Sequence, residues 1–151
     1  MTVDYESLAK TIASLTEGET DAVALTATTA REAHHSDNRS DWTGFYRVTE
    51  PEVLKIGPYQ GGHGCLKIPF SKGVCGAAAR TGEVQLVDDV EAFPGHIACA
   101  SSTRSELVLP VFGPHGLLAV FDIDSDQPAA FTETDATALA RILDVTFKDA
   151  A

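Results

Sequence analysis

The runs ELVLPVF (106–112) and LLAVFDID (117–124) lie on either side of Gly113-Pro-His-Gly116, and no other feature constrains the fold as tightly. Glycine and proline at the break supply the backbone angles of a reversal, so two strand-forming runs this close pair as an antiparallel hairpin. A second strand pair, WTGFYRVT and EVLKIG, turns around Glu50-Pro51, while CLKIPF and VQLVDDV read as further extended pieces. Residues 4–15 instead place Leu8, Ile12 and Leu15 at helical spacing, and residues 19–35 form an alanine-rich second helix after a break at Gly18. SKGVCGAAARTGE reads as a glycine-led turn into a short helix closed by Gly82. Near the C-terminus, Thr132 and Asp135 suit a helix cap, with Leu139, Ile142, Leu143 and Phe147 as the buried stripe. The expected fold class is α+β: one domain over residues 1–151, a mainly antiparallel sheet sandwiched by N-terminal and C-terminal helices.

A chain of 151 residues is long enough to bury a two-layer core and short for two domains. Its 11 basic residues face 22 acidic ones, and the net charge of −11 repels phosphate backbones and anionic lipid headgroups. No apolar run approaches the roughly 20 residues that span a bilayer. MTVDYESLAK lacks the basic and apolar blocks of a signal peptide. The expected location is cytoplasmic, with no nucleic-acid or membrane partner. Cysteines there are reduced at rest. Cys65, Cys75 and Cys99 include no CxxC pair, and their odd number does not suit a purely structural disulfide framework. Transient redox chemistry and ordinary packed thiols remain.

Cys99 sits in FPGHIACASSTRSE (93–106), among small residues with no thiol nearby in sequence. It is filler, a metal ligand or a nucleophile. Cys75 lies in the first turn of the helix expected after Gly73, where amide donors and the helix dipole favour a thiolate. On the residues alone it is the stronger candidate nucleophile. His63-Gly-Cys65 and His96-Ile-Ala-Cys99 offer an alternative zinc set, though loose pairs of this kind arise often by chance. AVFDID puts Asp122 and Asp124 at alternate positions, on the face of Leu118 and Val120, which is harder to dismiss than a solvated strand end. Trp42 is the only tryptophan, and a core aromatic is expected more at Phe45 and Tyr46 than there.

GPYQGGHGCLKIPFSKGVCGAAARTGEVQLVDDVEAFPGHIACASSTRSELVLPVF, followed by GLLAVFDIDS, resembles the free methionine-(R)-sulfoxide reductases, stand-alone enzymes of GAF fold. The resemblance runs from about Trp42 to Ser125 and takes in all three cysteine contexts. It implies reduction of free L-methionine-(R)-S-oxide, with Cys99 attacking sulfur and Cys65 resolving the sulfenic acid as a disulfide that thioredoxin reduces. Cys75 stays a rival for the attack. Glu106, Asp122 and Asp124 match the family's carboxylates, which would hold the substrate ammonium and polarise or protonate the sulfoxide oxygen. Trp42 would wall the methyl pocket. The resemblance implies a homodimer, placed at the terminal helices, and no organic or metal cofactor. The chain departs from the family in reading Asp-Trp-Thr-Gly where Asn-Trp-Val-Gly is common, and Gly-Gly-His-Gly before Cys65 where Gly-Lys-Pro-Ala is more frequent. The added glycine predicts a more mobile Cys65 loop. A non-catalytic GAF module that senses a small ligand is the alternative.

The three acids impose a geometric condition. If the hairpin loop is Gly113 to Gly116, Phe112 faces Leu117 and Glu106 faces Ile123, which turns Glu106 away from Asp122 and Asp124. An odd loop or a bulge brings all three to one face, unless Glu106 lies beyond the regular pairing.

Overall fold

Period-two alternation of apolar residues sets the architecture. The computed structural model describes residues 2–151. Its strands are β1 (Trp42–Glu50), β2 (Val53–Gly61), β3 (Lys67–Pro69), β4 (Gln85–Val87), β5 (Ser105–Gly113) and β6 (Gly116–Ser125). They form one six-stranded sheet in the order β3-β2-β1-β6-β5-β4, with every neighbouring pair antiparallel. Helices α1 (Tyr5–Leu15), α2 (Ala22–Ser36) and α4 (Glu133–Phe147) cover one face. There Phe45, Leu107, Leu109, Phe121 and Ile123 meet Leu8, Ile12, Leu25, Leu139, Leu143 and Phe147. Each such side chain contributes about 1.5–3 kcal/mol on burial, so this layer carries most of the apolar stabilisation. Helix α3 (Gly73–Thr81) lies on the opposite face, against Tyr46, Leu54, Val108 and Val120. The fold is α+β, as expected. Among the described residues, no helix is long and apolar enough to cross a membrane.

Among the element boundaries that differ from expectation, two do so because an aspartate caps a turn. α2 starts at Ala22, not residue 19, because Asp21 accepts from the backbone N–H groups of Val23 and Ala24. Glu19 is meanwhile occupied in accepting from the N–H groups of Thr20 and Asp21. β4 spans three residues instead of the whole of VQLVDDV. Asp89 accepts from the Glu91 N–H and opens a 3-10 turn over Val90–Ala92, which ends the strand.

The β5–β6 hairpin carries the offset that the acids require. Gly113 pairs with Gly116 and Phe112 with Leu117, but Val111 pairs with Ala119. Leu118 is therefore an extra residue, a β-bulge. It packs with the helical face, so the expectation that it shares a face with Val120 is corrected. Beyond the bulge, Glu106 stands opposite Asp124 instead of Ile123.

A buried ionic clamp ties the terminal helices to the start of β1. Arg39 donates to both Asp37 oxygens at 2.8 Å and to both Asp135 oxygens at 3.1 Å. It also donates to the Ala130 carbonyl at 2.9 Å and lies over the Phe131 ring. The Tyr5 hydroxyl of α1 donates to Asp135 at 2.6 Å. Asp135 closes the capping box of α4 with Thr132. The same side chains thus anchor α1, α4 and the turn leading to Trp42.

Candidate active site

On the α3 face of the sheet, strand register gathers the acids. β6 lies between β1 and β5, pairing Asp124 with Trp42 on one side and with Glu106 on the other. Asp122 pairs with Gly44 and Val108. Trp42, Cys75, Cys99, Glu106, Asp122 and Asp124 all line one small cavity. Cys65, in the turn between β2 and β3, is joined to Cys99 by a disulfide with its Cα atoms 5.0 Å apart. The structure therefore brings together all seven residues singled out from the sequence. With the disulfide closed, the cavity holds about 30 Å³. That is room for one or two waters, not for an amino acid.

Cys75 is the free thiol, and its surroundings overturn the expectation of a stabilised thiolate. It does lie in the first turn of α3, where Gly73 takes φ +72, a backbone conformation suited to glycine. But it is only 3 % exposed, and its Sγ–H points at Glu106 Oε2, 3.8 Å away. Burial first, and then the charges of Asp122, Glu106 and Asp124, push its pKa well up. Low dielectric and three nearby acids outweigh the helix dipole here.

The carboxyls perturb one another in the same sense. Burial raises Glu106 and Asp122 well above the usual carboxylate range, and the Asp124 charge adds to both. Asp124 is raised by burial to about 6, although hydrogen bonds from Asp122 and Glu106 act to lower it. Oδ1 of Asp122 and Oδ1 of Asp124 are buried with no hydrogen-bond partner. Buried polar atoms without partners are costly, so these oxygens are places for a water or for a donor group of a bound ligand.

Trp42 forms the aromatic wall. Its indole is stacked between Tyr46, at 5.5 Å between centroids, and Tyr59, at 5.2 Å. Its buried Nε1–H also lacks an acceptor. Gly44 leaves space for this ring, since a Cβ there would overlap the Tyr59 Cβ and lie 2.8 Å from Trp42 Cη2. Trp42 is buried like Phe45 and Tyr46, and the expected contrast holds for Phe45, which lies in the helical core, but not for Tyr46, which shares the cavity wall. Tyr46 is the residue whose part was missed, for it both packs against α3 and lines the cavity. Its spacing of four from Trp42 along β1, on the same face, was the available signal.

His63 and His96 also reach the cavity, so three members of the alternative zinc set meet there. Its two thiols, however, are consumed by the disulfide. Among the described residues, the atoms spaced to hold a metal ion are those of Cys75, Glu106 and Asp122, all within 4.8 Å of one another.

Known proteins share this sequence and fold over most of their length. The GAF-domain family profile matches residues 16–145, so the chain belongs to the GAF-domain family. Free methionine-R-sulfoxide reductase of Escherichia coli is 37% identical over 139 residues, covering 92% of this chain and 84% of the relative. The reduced form of fRMsr from Staphylococcus aureus superposes with a TM-score of 0.92 at 35% identity, covering 97% of this chain and 94% of that one. Free methionine-R-sulfoxide reductase from Neisseria meningitidis in complex with its substrate gives a TM-score of 0.88 at 40% identity, covering 94% and 85%. Within the GAF domains, the chain is a member of the free methionine-R-sulfoxide reductase family.

Proposed function

We propose that this protein, acting as one domain in the cytoplasm, reduces free L-methionine-(R)-S-oxide to L-methionine. The observation that carries the reading is the Cys65–Cys99 disulfide lying at a cavity lined by three carboxyls and an indole. Cys99 is the attacking thiol. Its rival Cys75 is disfavoured as a thiolate by burial and by the neighbouring acids. The Cys99 thiolate attacks the sulfoxide sulfur, and a carboxyl proton passes to the oxygen. Methionine leaves as the thioether, and the oxygen stays on Cys99 as the sulfenic acid. Cys65 then attacks that sulfur, expelling water and forming the disulfide. Thioredoxin supplies the two electrons that reopen it.

The carboxyls divide two tasks by their protonation. Asp124, raised to about 6, is the anion that pairs with the substrate ammonium. Glu106 and Asp122, pushed well above the usual carboxylate range by burial, face the sulfoxide oxygen as donors. Trp42 packs against the methyl group. A second copy of the chain covers the groove between α1 and α4, where Ala9, Ala13, Ile142 and the exposed Val145 leave an apolar cleft of about 850 Å³.

The test is NADPH consumption with thioredoxin and thioredoxin reductase, offering the R and S epimers separately. Turnover specific for the R epimer, abolished in Cys99→Ser and retained in Cys75→Ser, is the expected result. Loss in Cys75→Ser alone moves the attack to Cys75. A folded, reduced protein with no turnover on either epimer points instead to a GAF module that only binds its ligand.

A further inference from the structure

Cys75 has no part in the reaction just described, yet its thiol, while packed in the apolar layer around α3, is also directed at Glu106 of the acid cluster. No lysine or arginine lines the cavity among the described residues, and His63 and His96 are the side chains there able to carry positive charge. A substrate ammonium can balance the carboxylates, but it has no use for sulfur, which is a weak acceptor. The thiol beside the acids selects a different cation. Borderline-soft divalent ions accept thiolate and carboxylate oxygen together, whereas magnesium and calcium take oxygen.

We propose that Cys75 Sγ, Glu106 and Asp122 form a binding site for one thiophilic divalent cation of the zinc class. The three ligand atoms lie within 4.8 Å of one another. A tetrahedral zinc with one sulfur and one oxygen ligand holds them about 3.5 Å apart, and Cys75 Sγ already stands 3.8 Å from Glu106 Oε2. Small side-chain rotations therefore close the site. The unpartnered Oδ1 of Asp122, on a residue 4 % exposed, and that of Asp124 offer further lone pairs at the same point. Binding releases the Cys75 thiol proton, and any proton on the two ligand carboxyls, to solvent. No electron moves, so a chelator reverses it. The metal site does not depend on the reductase reading. If that reading holds, zinc occupies the carboxyls the substrate needs, and the protein is reversibly inhibited by it.

The disulfide form makes the test clean, because Cys75 is then the free thiol. Adding Co²⁺ is expected to give a sulfur-to-cobalt charge-transfer band in the near ultraviolet, saturating at one ion per chain and bleached by Zn²⁺. Cys75→Ser loses the band, and zinc affinity falls about tenfold or more in both Cys75→Ser and Asp122→Asn, since removing a ligand costs at least as much as removing its support. A Cys65→Ser/Cys99→Ser variant keeps Cys75 as its single thiol with the loops unlinked, and repeats the titration with the cavity free to open. A charge-transfer band missing from both proteins, or one that survives Cys75→Ser, overturns the site. Turnover of the metal-free wild type, measured separately, shows whether the reductase reading stands or falls on its own.

Discussion

Replacing Asp124 by asparagine should stabilise the protein while removing its proposed anchor for the ammonium. Asp124 lies among buried acids, and its carboxyl is raised from 3.8 to about 6, chiefly by burial. A raised carboxyl keeps its proton in the folded chain at a pH where the unfolded chain has lost it. Stability from this group is therefore full below about pH 4 and declines as pH rises to about 6, where the folded form also ionises. The shift from 3.8 to about 6, at about 1.36 kcal/mol per pH unit, amounts to roughly 3 kcal/mol lost by neutral pH. Asparagine cannot ionise and avoids that loss. In urea denaturation of the disulfide form, Asp124→Asn is expected to gain up to about 3 kcal/mol over wild type at pH 7.5 and almost nothing at pH 4. For a chain of this size that is a rise in Tm of about 6–12 °C at the higher pH. Equal stability of the two proteins at pH 7.5, or the same gain at both pH values, would refute burial of charge as the cause.

Three further outcomes follow from other parts of the molecule. Arg39→Met leaves Asp37 and Asp135 buried without their counter-charge, which should cost about 3–5 kcal/mol at pH 7 by urea titration. Asp135, although burial raises it, is held below the usual range by Arg39 and Tyr5, so the difference between variant and wild type should shrink as pH falls below about 4. Gly44→Ala pushes Tyr59 and the Trp42 indole apart. Steady-state kinetics should show a higher KM for the sulfoxide, and tryptophan fluorescence a shifted emission. Cys65→Ser cannot resolve the sulfenic acid, so a rapid-quench assay should give one methionine per chain and mass spectrometry a gain of one oxygen on Cys99.

The hairpin and the terminal helices were legible because each rests on a local pattern, whereas Glu106, Trp42 and the pairing of Cys65 with Cys99 were expected only from the family resemblance. Apolar alternation reports strands, helical spacing reports α1 and α4, and Asp122 with Asp124 stand two apart on one of those strands. The need for an offset in the hairpin was also legible, because Glu106 and Asp122 could share a face only if one residue were out of step. That the extra residue is Leu118 was not, since nothing in GPHGLL distinguishes a bulge there from an odd loop. The environment of Cys75 was illegible for a different reason. Its position near a helix start is local, but its burial arises when α3 docks over β5 and β6, and three acids distant in sequence then decide its charge. Tyr46 shows the converse. Its spacing from Trp42 was in view, but a core aromatic and a cavity wall leave the same mark in sequence.

The bulge at Leu118 turns the length of one hairpin into a yes-or-no condition. Between Glu106 and Asp122 residues can be gained or lost in twos, for each pair restores the facing of everything beyond it. With the bulge kept, a single insertion or deletion in the paired strands sends Glu106 to the helical layer and strands a carboxyl in the apolar core. Deleting Leu118 itself is the exception, because Val111 then meets Ala119 in regular pairing and Glu106 still stands opposite Asp124. An alignment that opens one lone gap in this hairpin therefore describes a protein whose acids meet only if the offset is lost with it.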